Sequence, residues 1–347
     1  MDIVVGPSES SWRDFVGNVS GSNIFQSPEM ARVLGATKGF APRTLAAESR
    51  GEIRALMLSN VISYRVAGLP LPAVRAVIVG GPLGDPDAFS VLLNAHDAAL
   101  GRRVLQAQIR NLQAPTSLAP FVGAGFGWED HLNFVLDLRK GEEGLLREMS
   151  KGRRKAIARA ERSGLRVVDL CPSELEGAYR ILKETYSRAG IPLADLSLFR
   201  AAMHHLQPRS MLWAVGAMEN GQFEATRFVL RWGGALYDWY SGSTTRGRNL
   251  HADEFLVWEV LTRGVAQGCS AFDFCGAGRP GEDYGPGEFK RRFGGSLTNP
   301  GRLVKTYHRL AWTFGQASLY VWKRLSSPAF EQHTTDRNQE VPPWVHG

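Results

Sequence analysis

Short β-rich runs alternate with helix-like stretches along most of this chain, and that alternation limits the fold more than any single motif. Residues 1–140 carry β-rich runs at Arg43-Thr44-Leu45-Ala46-Ala47, Ile53–Leu58 and Ala76–Val79, with a helical stretch over Ala88–Leu100. The pattern recurs from 165 to 300. It gives a strand near 165–169, helices over 173–189 and from about 195 to 206, and strands near 211–218, 224–232 and 235–240. A helix at 252–267 and a strand at Ala271–Phe274 complete it. Both halves read as α/β in an α+β order, with no close sequence repeat and no low-complexity linker. The 347 residues suit roughly two domains. Hydrophobic residues at 44% and charged residues at 22% exclude a mainly disordered, collagenous or coiled-coil chain.

No apolar run reaches the roughly 18 residues of a membrane span. The stretch Met1–Ser20 carries Asp2, Glu9 and Asp14 and does not read as a secretory signal. Three cysteines, Cys171, Cys269 and Cys275, form no CxxC pair, so a reducing cytoplasm is the expected compartment. The net charge of +7 points to a phosphate-bearing or membrane-surface partner. The excess is concentrated. Lys151, Arg153, Arg154, Lys155, Arg159 and Arg162 lie in one segment with Glu161 as its acid. The alanines and Ile157 between them suit a helix, Gly164 its stop, and Leu165–Val168 a strand. The cations are expected to wrap much of that helix. Two readings are open: a solvated basic face, or a grip on phosphates.

Candidate chemistry is sparse elsewhere. The histidines are scattered, with no HExxH or Cys/His cluster, so no metal site is predicted. No GxSxG elbow exists. The cysteines read as small packed residues, with Cys275 nearest the suspected site. Gly80-Gly81-Pro82-Leu83-Gly84 lacks phosphate-loop spacing and reads as a turn. Tyr237–Ser243 is an aromatic strand that runs into a polar loop with Arg246 and Arg248, followed by a helix start. That order suits either a pyrophosphate on backbone N–H groups or an empty turn. In Gly287–Gly295, a lysine among phenylalanines can face a developing oxyanion; the alternative is a surface turn pinned by Phe289 and Phe293.

Taken in order, these pieces resemble the Fem peptidyltransferases, FemA, FemB and FemX, and the broader FemAB-like acyltransferases of the GNAT superfamily. The resemblance rests on the basic helix Lys151–Ala160 ending before Gly164, Tyr237-Asp238-Trp239-Tyr240-Ser241-Gly242-Ser243, Trp258-Glu259, Phe272-Asp273-Phe274 and Phe289-Lys290-Arg291-Arg292-Phe293-Gly294-Gly295. Phe25-Gln26-Ser27-Pro28 is similar to the family's entry to a first helix. It spans roughly 12 to 325.

The resemblance implies two tandem GNAT-like acyltransferase domains packed side by side, with a C-terminal helix returning to the first. The expected division is 1–140 plus 305–330, then 141–304 with the active site, and a flexible tail at 331–347. It implies transfer of an aminoacyl or acyl group to an amine of a cell-envelope precursor without a covalent enzyme intermediate. That chemistry needs a neutral amine, alignment and oxyanion stabilisation.

Phe289 and Lys290 match the family's Phe-Lys pair, with Lys290 implied for the oxyanion. Arg188 resembles the family arginine that binds an acceptor phosphate. Tyr240 and Ser243 match the aromatic strand that lines the site. Lys151, Arg154 and Lys155 are implied nucleotide or lipid-phosphate contacts, with Arg246 beside them for substrate. Asp238, Asp253 and Asp273 are candidates for the general base, and Asp273 reads as structural.

The chain departs from the family at two places. The first helix offers Arg32 where the family often has a lysine, and His251-Ala252-Asp253 replaces Asn-Pro-Asn. No tightly bound cofactor is expected. The donor is aminoacyl-tRNA or acyl-CoA, and the acceptor a UDP- or lipid-linked precursor, an amino sugar or a small amine. A non-catalytic phosphate-binding or nucleic-acid-binding protein is the third reading. The expected place of action is the cytoplasm or the inner face of the membrane, in contact with anionic lipid.

Overall fold

Two-residue turns set up the long hairpins. Arg50-Gly51 and Asn220-Gly221 both take positive φ at their two residues, the twist that joins antiparallel strands tightly. A computed structural model describes residues 1–63, 65–66, 69–70, 74–101, 103–282, 285–308 and 311–312. It contains two compact units, Met1–Asp130 with the chain from Pro300, and His131–Asn299.

The first unit's sheet runs in the order Asp2–Val5, Phe40–Ser49, Glu52–Ile62, Val74–Val79, Val104–Arg110, Arg302–Thr306, Gly127–Glu129. The helix Phe89–Ala99 covers one face, burying Leu92 and Leu93 against Met57, Ile78 and Ile109. Each such side chain contributes about 1.5–3 kcal/mol by leaving water. The Gln-Ser-Pro entry has a physical reason. Gln26 donates Nε2 to Val79 O at 2.7 Å and accepts from Leu58 N at 2.7 Å, tying two strands together. Ser27 caps the helix Pro28–Gly35 by accepting from Met30 N at 3.1 Å. The Gly80-Gly81 turn is filled by neighbours. A Cβ on either glycine would lie 2.7 Å from the Asn23 or Gln26 side chain, which leaves no cradle for a phosphate.

The second unit's elements are numbered in chain order. Its strands are β1 (Asn133–Asp137), β2 (Arg166–Asp169), β3 (Leu212–Glu219), β4 (Gln222–Trp232), β5 (Ala235–Ser243), β6 (Ala271–Asp273) and β7 (Ser296–Thr298). Its longer helices are α1 (Lys151–Arg162), α2 (Leu175–Arg188), α3 (Leu196–His205), α4 (Ala252–Ala266) and α5 (Gly285–Arg291). The sheet order is β2-β3-β4-β5-β6-β1-β7. One face packs on α1 and α4 through Trp213, Val229, Leu236, Leu256 and Phe272. The other meets α2 and α3, where Phe199 stacks edge-on to Phe228 at 5.0 Å.

The expected division is corrected at both crossings. β1 pairs with β6 and β7, so the second unit begins at His131 rather than at 141. Arg302–Thr306 pairs with Val104–Arg110, so the return to the first unit begins at Pro300 rather than at 305. The expected returning helix beyond 312 and the tail at 331–347 lie outside the described residues.

Candidate active site

β5 and β6 run parallel, but only briefly. Ala235, Leu236 and Tyr237 pair with Ala271, Phe272 and Asp273, and there β6 ends. β5 continues to Ser243 with no strand on that side among the described residues. On its other side the register slips. Phe228 faces Tyr240 and Val229 faces Asp238, so Trp239 is a bulged residue that bends the strand. These two features part β5 from β6 beyond Tyr237 and bend it at Trp239.

A buried charged cluster lies behind the divergence. Arg227 on β4 is 1% exposed and donates to Asp238 on β5, and at 2.6 Å to Asp253 in the first turn of α4. Burial opposes that cation, and the two carboxylates overcome it and hold the guanidinium above its ordinary range. Lys290 on α5 is 3% exposed. Its Nζ donates to Phe274 O at 3.0 Å and to Gly276 O. Burial pushes this ammonium down to about 8, Arg227 pushes the same way, and Asp238, Cys275 and Asp273 resist.

Asp273 closes the end of β6. It accepts from Asn133 Nδ2 at 2.7 Å and Cys275 N at 2.6 Å, while burial drives its carboxyl upward. Cys275 follows in a left-handed conformation at φ 61°. Burial first, then Asp273 and Asp238, push its thiol well up, so it stays protonated and donates to Asp273 O at 3.5 Å. The same burial and the Asp273 charge raise the Tyr237 phenol.

Lys290 and Asp238 come together here, and Phe289 borders them. Both functional atoms are engaged by the protein itself: Asp238 in an ion pair with Arg227, and Lys290 on two backbone carbonyls. The surface-turn reading of Gly287–Gly295 fails, because Phe289, Lys290 and Phe293 are buried in or beside α5.

The other candidates are dispersed. Tyr240 packs on Phe199 at 4.8 Å and Tyr186 at 5.8 Å. Ser243 donates its N–H to Thr185 Oγ1 at 3.1 Å, knitting β5 to α2. Arg188 ends α2 beside Glu184 at 3.5 Å. Arg246 is exposed and donates to Glu219 at 2.8 Å. It belongs to a short helical turn, Thr245–Asn249, where a polar loop was expected. Lys151 and Lys155 are exposed on α1, whereas Arg154 is half-buried and donates to Leu146 O at 2.8 Å. The expectation that cations wrap α1 is corrected, because Arg153 turns inward. It is 4% exposed, stacks on the Phe289 and Phe293 rings at 4.1 and 4.5 Å, and donates to Phe289 O at 3.0 Å. It also pairs with Glu254 at 2.6 Å.

Arg227, Asn133 and Arg153 are the residues that sequence reasoning missed. Arg227 had a usable signal: a charge inside the apolar run Ala225–Leu230, next to a strand that carries Asp238. Asn133 and Arg153 had none. Among the described residues no group of three or more His, Cys, Asp or Glu side chains is placed to hold a metal. No helix among them is long and apolar enough to cross a membrane.

A family model for the acetyltransferase (GNAT) domain matches residues 147–291, the stretch that contains the cluster. No curated protein matches the chain in sequence. Among solved structures the chain is similar to FemX, with a TM-score of 0.67 and 14% identity over 90% of this chain and 99% of that one. The C-terminal domain of a putative lysylphosphatidylglycerol synthetase from Agrobacterium fabrum gives 0.56 and 16%, over 90% and 96%. A tandem GNAT protein from the clavulanic acid biosynthesis pathway gives 0.51 and 11%, over 88% and 98%. The chain thus has two GNAT-like domains with the FemX fold, residues 147–291 form a GNAT acetyltransferase domain, and the protein is an acyltransferase.

Proposed function

We propose that the chain transfers an acyl or aminoacyl group from a phosphate-bearing carrier to an amine of a cell-envelope precursor, by direct attack and without an acyl-enzyme. The carrying observation is the divergence of β5 and β6 beside a sealed charged cluster. Beyond Tyr237, β5 has no strand on its β6 side among the described residues, and an extended donor laid along that side would hold its carbonyl in a fixed place. The amine nitrogen then attacks the carbonyl carbon, the bond from that carbon to the carrier breaks, and the amine proton leaves to solvent or to the departing group. Cys275, the thiol nearest the cluster, is held protonated by burial, and this supports attack without a covalent intermediate.

In this reading Lys290 acts through the backbone. Its ammonium fixes Phe274 and Gly276 just past the end of β6 and adds positive potential near a developing oxyanion. Arg227 fixes Asp238, and with it the bulge at Trp239. Tyr240 and Ser243 shape the β5 side, and Arg188 and Arg246 are the phosphate-facing candidates on the rim. Aminoacyl-tRNA is the donor that the Fem resemblance favours. Acyl-CoA acting on an amino sugar or small amine is the second reading, and the match to an acetyltransferase domain favours it.

The test is a binding and turnover panel with acetyl-CoA, long-chain acyl-CoA and charged tRNA, each offered with amine acceptors and followed by mass spectrometry. A saturable thermal shift with one donor class, together with an amide product, supports the proposal and chooses the donor. No shift and no product with any donor rejects it.

A further inference from the structure

The first turn of α4 carries two acids side by side, Asp253 and Glu254. Adjacent helical positions lie about 100° apart, so the two reach different neighbours. Asp253 accepts from Arg227 at 2.6 Å, and Arg227 also holds Asp238 on β5. Glu254 pairs with Arg153 on α1 at 2.6 Å and lies 3.3 Å from His251 Nδ1. Burial opposes the Glu254 carboxylate, and His251 and Arg153 overcome it and hold it below the ordinary range.

Arg153 carries this second arm on to α5. Its guanidinium donates to Phe289 O at 3.0 Å and covers the Phe289 and Phe293 rings. α5 needs such a hold. It is seven residues long and opens on Gly285-Pro286-Gly287, so it has little helical stability of its own. At its end Phe293 N donates to Lys290 O at 2.9 Å, one carbonyl past Phe289 O, and Arg153 serves the carbonyl that is passed over. The peptide group that Arg153 grips leads directly into Lys290.

We infer that Glu254 and Arg153 are positioning residues for transfer: through them the first turn of α4 holds α5, and so places Lys290 against Asp238. The same turn fixes Asp238 through Asp253 and Arg227, which makes it a bracket with one arm on each side of the cluster. A buried ion pair adds little net stability over an apolar pair of similar size, because both charges leave water. What this pair supplies is direction: the guanidinium fork fixes the Phe289 carbonyl, which an apolar side chain cannot do. The inference rests on the reading that Lys290 serves the developing oxyanion.

The test combines Arg153→Met with Glu254→Met, which removes both charges together and should leave the melting temperature close to the parent's. The first readout needs no turnover. The full chain is given a brief pulse of acetic anhydride, and the acetylated lysines are located by peptide mass spectrometry. Lys290, 3% exposed in the parent, should be protected there and labelled at least about fivefold more in the variant. The second readout is transfer with saturating donor. Here kcat should fall about tenfold with the donor KM unchanged, and adding Lys290→Met should take it no lower than Lys290→Met alone, because all three changes act through one side chain. A pair that only supports the fold would add its loss to that of Lys290→Met. Protection of Lys290 in the variant overturns the inference, and so do additive losses. Full turnover in Lys290→Met alone is instead the failure of the oxyanion reading, and the labelling then still decides whether the pair holds α5. If the double variant does not fold, Arg153→Lys takes the same two readouts, since it keeps a charge beside Glu254 but has no fork to reach Phe289 O.

Discussion

Each unit contains one parallel strand pair that bears on the site question, and the two pairs behave differently. In the first unit Val74–Val79 and Val104–Arg110 stay paired from Val74 opposite Val104 to Val79 opposite Arg110, with one register slip after Val74. In the second, β5 and β6 part after three residues. Polar groups are buried beside both. In the first unit Ser59 Oγ lies 2.8 Å from His96 Nε2, and His96 Nδ1 lies 3.7 Å from Asp97. Asp97 is held below the ordinary carboxylate range, against its burial, by His96, Lys305 and Tyr307. That order of groups suits a nucleophile and its base, yet Ser59 and His96 are each 1% exposed, and Ser59 sits on a strand paired on both sides. The two units share an architecture, and it is the opening of the parallel pair that turns a buried polar cluster into a candidate site. Similar residue types in the closed unit serve packing.

The largest effect should come from the keystone of the open unit. Arg227→Ala leaves Asp238 and Asp253 buried without their cation, and a loss of about 3–5 kcal/mol in urea unfolding is expected. Replacing all three residues by apolar ones of similar size should recover most of that stability while transfer stays lost. Recovery of transfer as well would remove the cluster from the site. Lys290→Met comes next. Removing the clamp on Phe274 and Gly276 should lower turnover by about tenfold to a hundredfold, through an oxyanion environment no longer held in place. Its pH signature has a definite sign. The folded ammonium titrates at about 8 and the unfolded one at 10.5, so between those values the unfolded chain binds more protons and stability rises with pH. Below about 8 the whole cost of burying the charge is present. Lys290→Met should lose this rise between pH 8 and 10.5, measured as the difference in unfolding midpoint between variant and parent.

Much of the second unit was legible because its elements carry local signals. The aromatic run at Tyr237–Ser243, the helix over 252–266 and the stop at Gly164, which takes φ 87°, all sit where periodicity and glycine placed them. The cluster was legible only in part. Lys290 and Asp238 stood out as residue types, but 52 positions separate them, and what each touches depends on strand order and register. The divergence of β5 and β6 was not legible at all, since it is set by where β6 stops pairing rather than by any residue in β5. α5 carries no local helix signal because Gly285, Pro286 and Gly287 open it, and tertiary burial of Phe289 and Lys290 outweighs their weak helix propensity. The inward turn of Arg153 was hidden for the opposite reason. Its neighbours are all cationic, and nothing local distinguishes the one that finds Phe289, Phe293 and Glu254.

Smaller effects probe the edges of the comparison. Gly247 lies in the turn after β5, where an added Cβ would sit 2.1 Å from Glu224 O. Gly247→Ala should push that turn off β4 and cost about 1–3 kcal/mol in thermal or urea unfolding. It should also weaken donor binding more than it slows turnover at saturation, because the turn borders the open edge rather than the cluster. An equal change in KM and kcat would argue that the turn carries reacting groups.

The smallest effect should fall in the closed unit. Ser59→Ala removes the hydroxyl that meets His96 Nε2 and leaves a buried imidazole nitrogen without that partner. The cost should be about 1 kcal/mol, the worth of one buried hydrogen bond, partly offset because alanine fits the apolar layer of Met57 and Ile78. Transfer measured with saturating donor should be unchanged, since Ser59 is buried on a strand paired on both sides, which gives no route for a substrate. A drop in turnover larger than the loss of folded protein would mean that the first unit's sheet opens during the reaction. The contrast between a zipped and an unzipped parallel pair would then describe two states of one device rather than a division of labour.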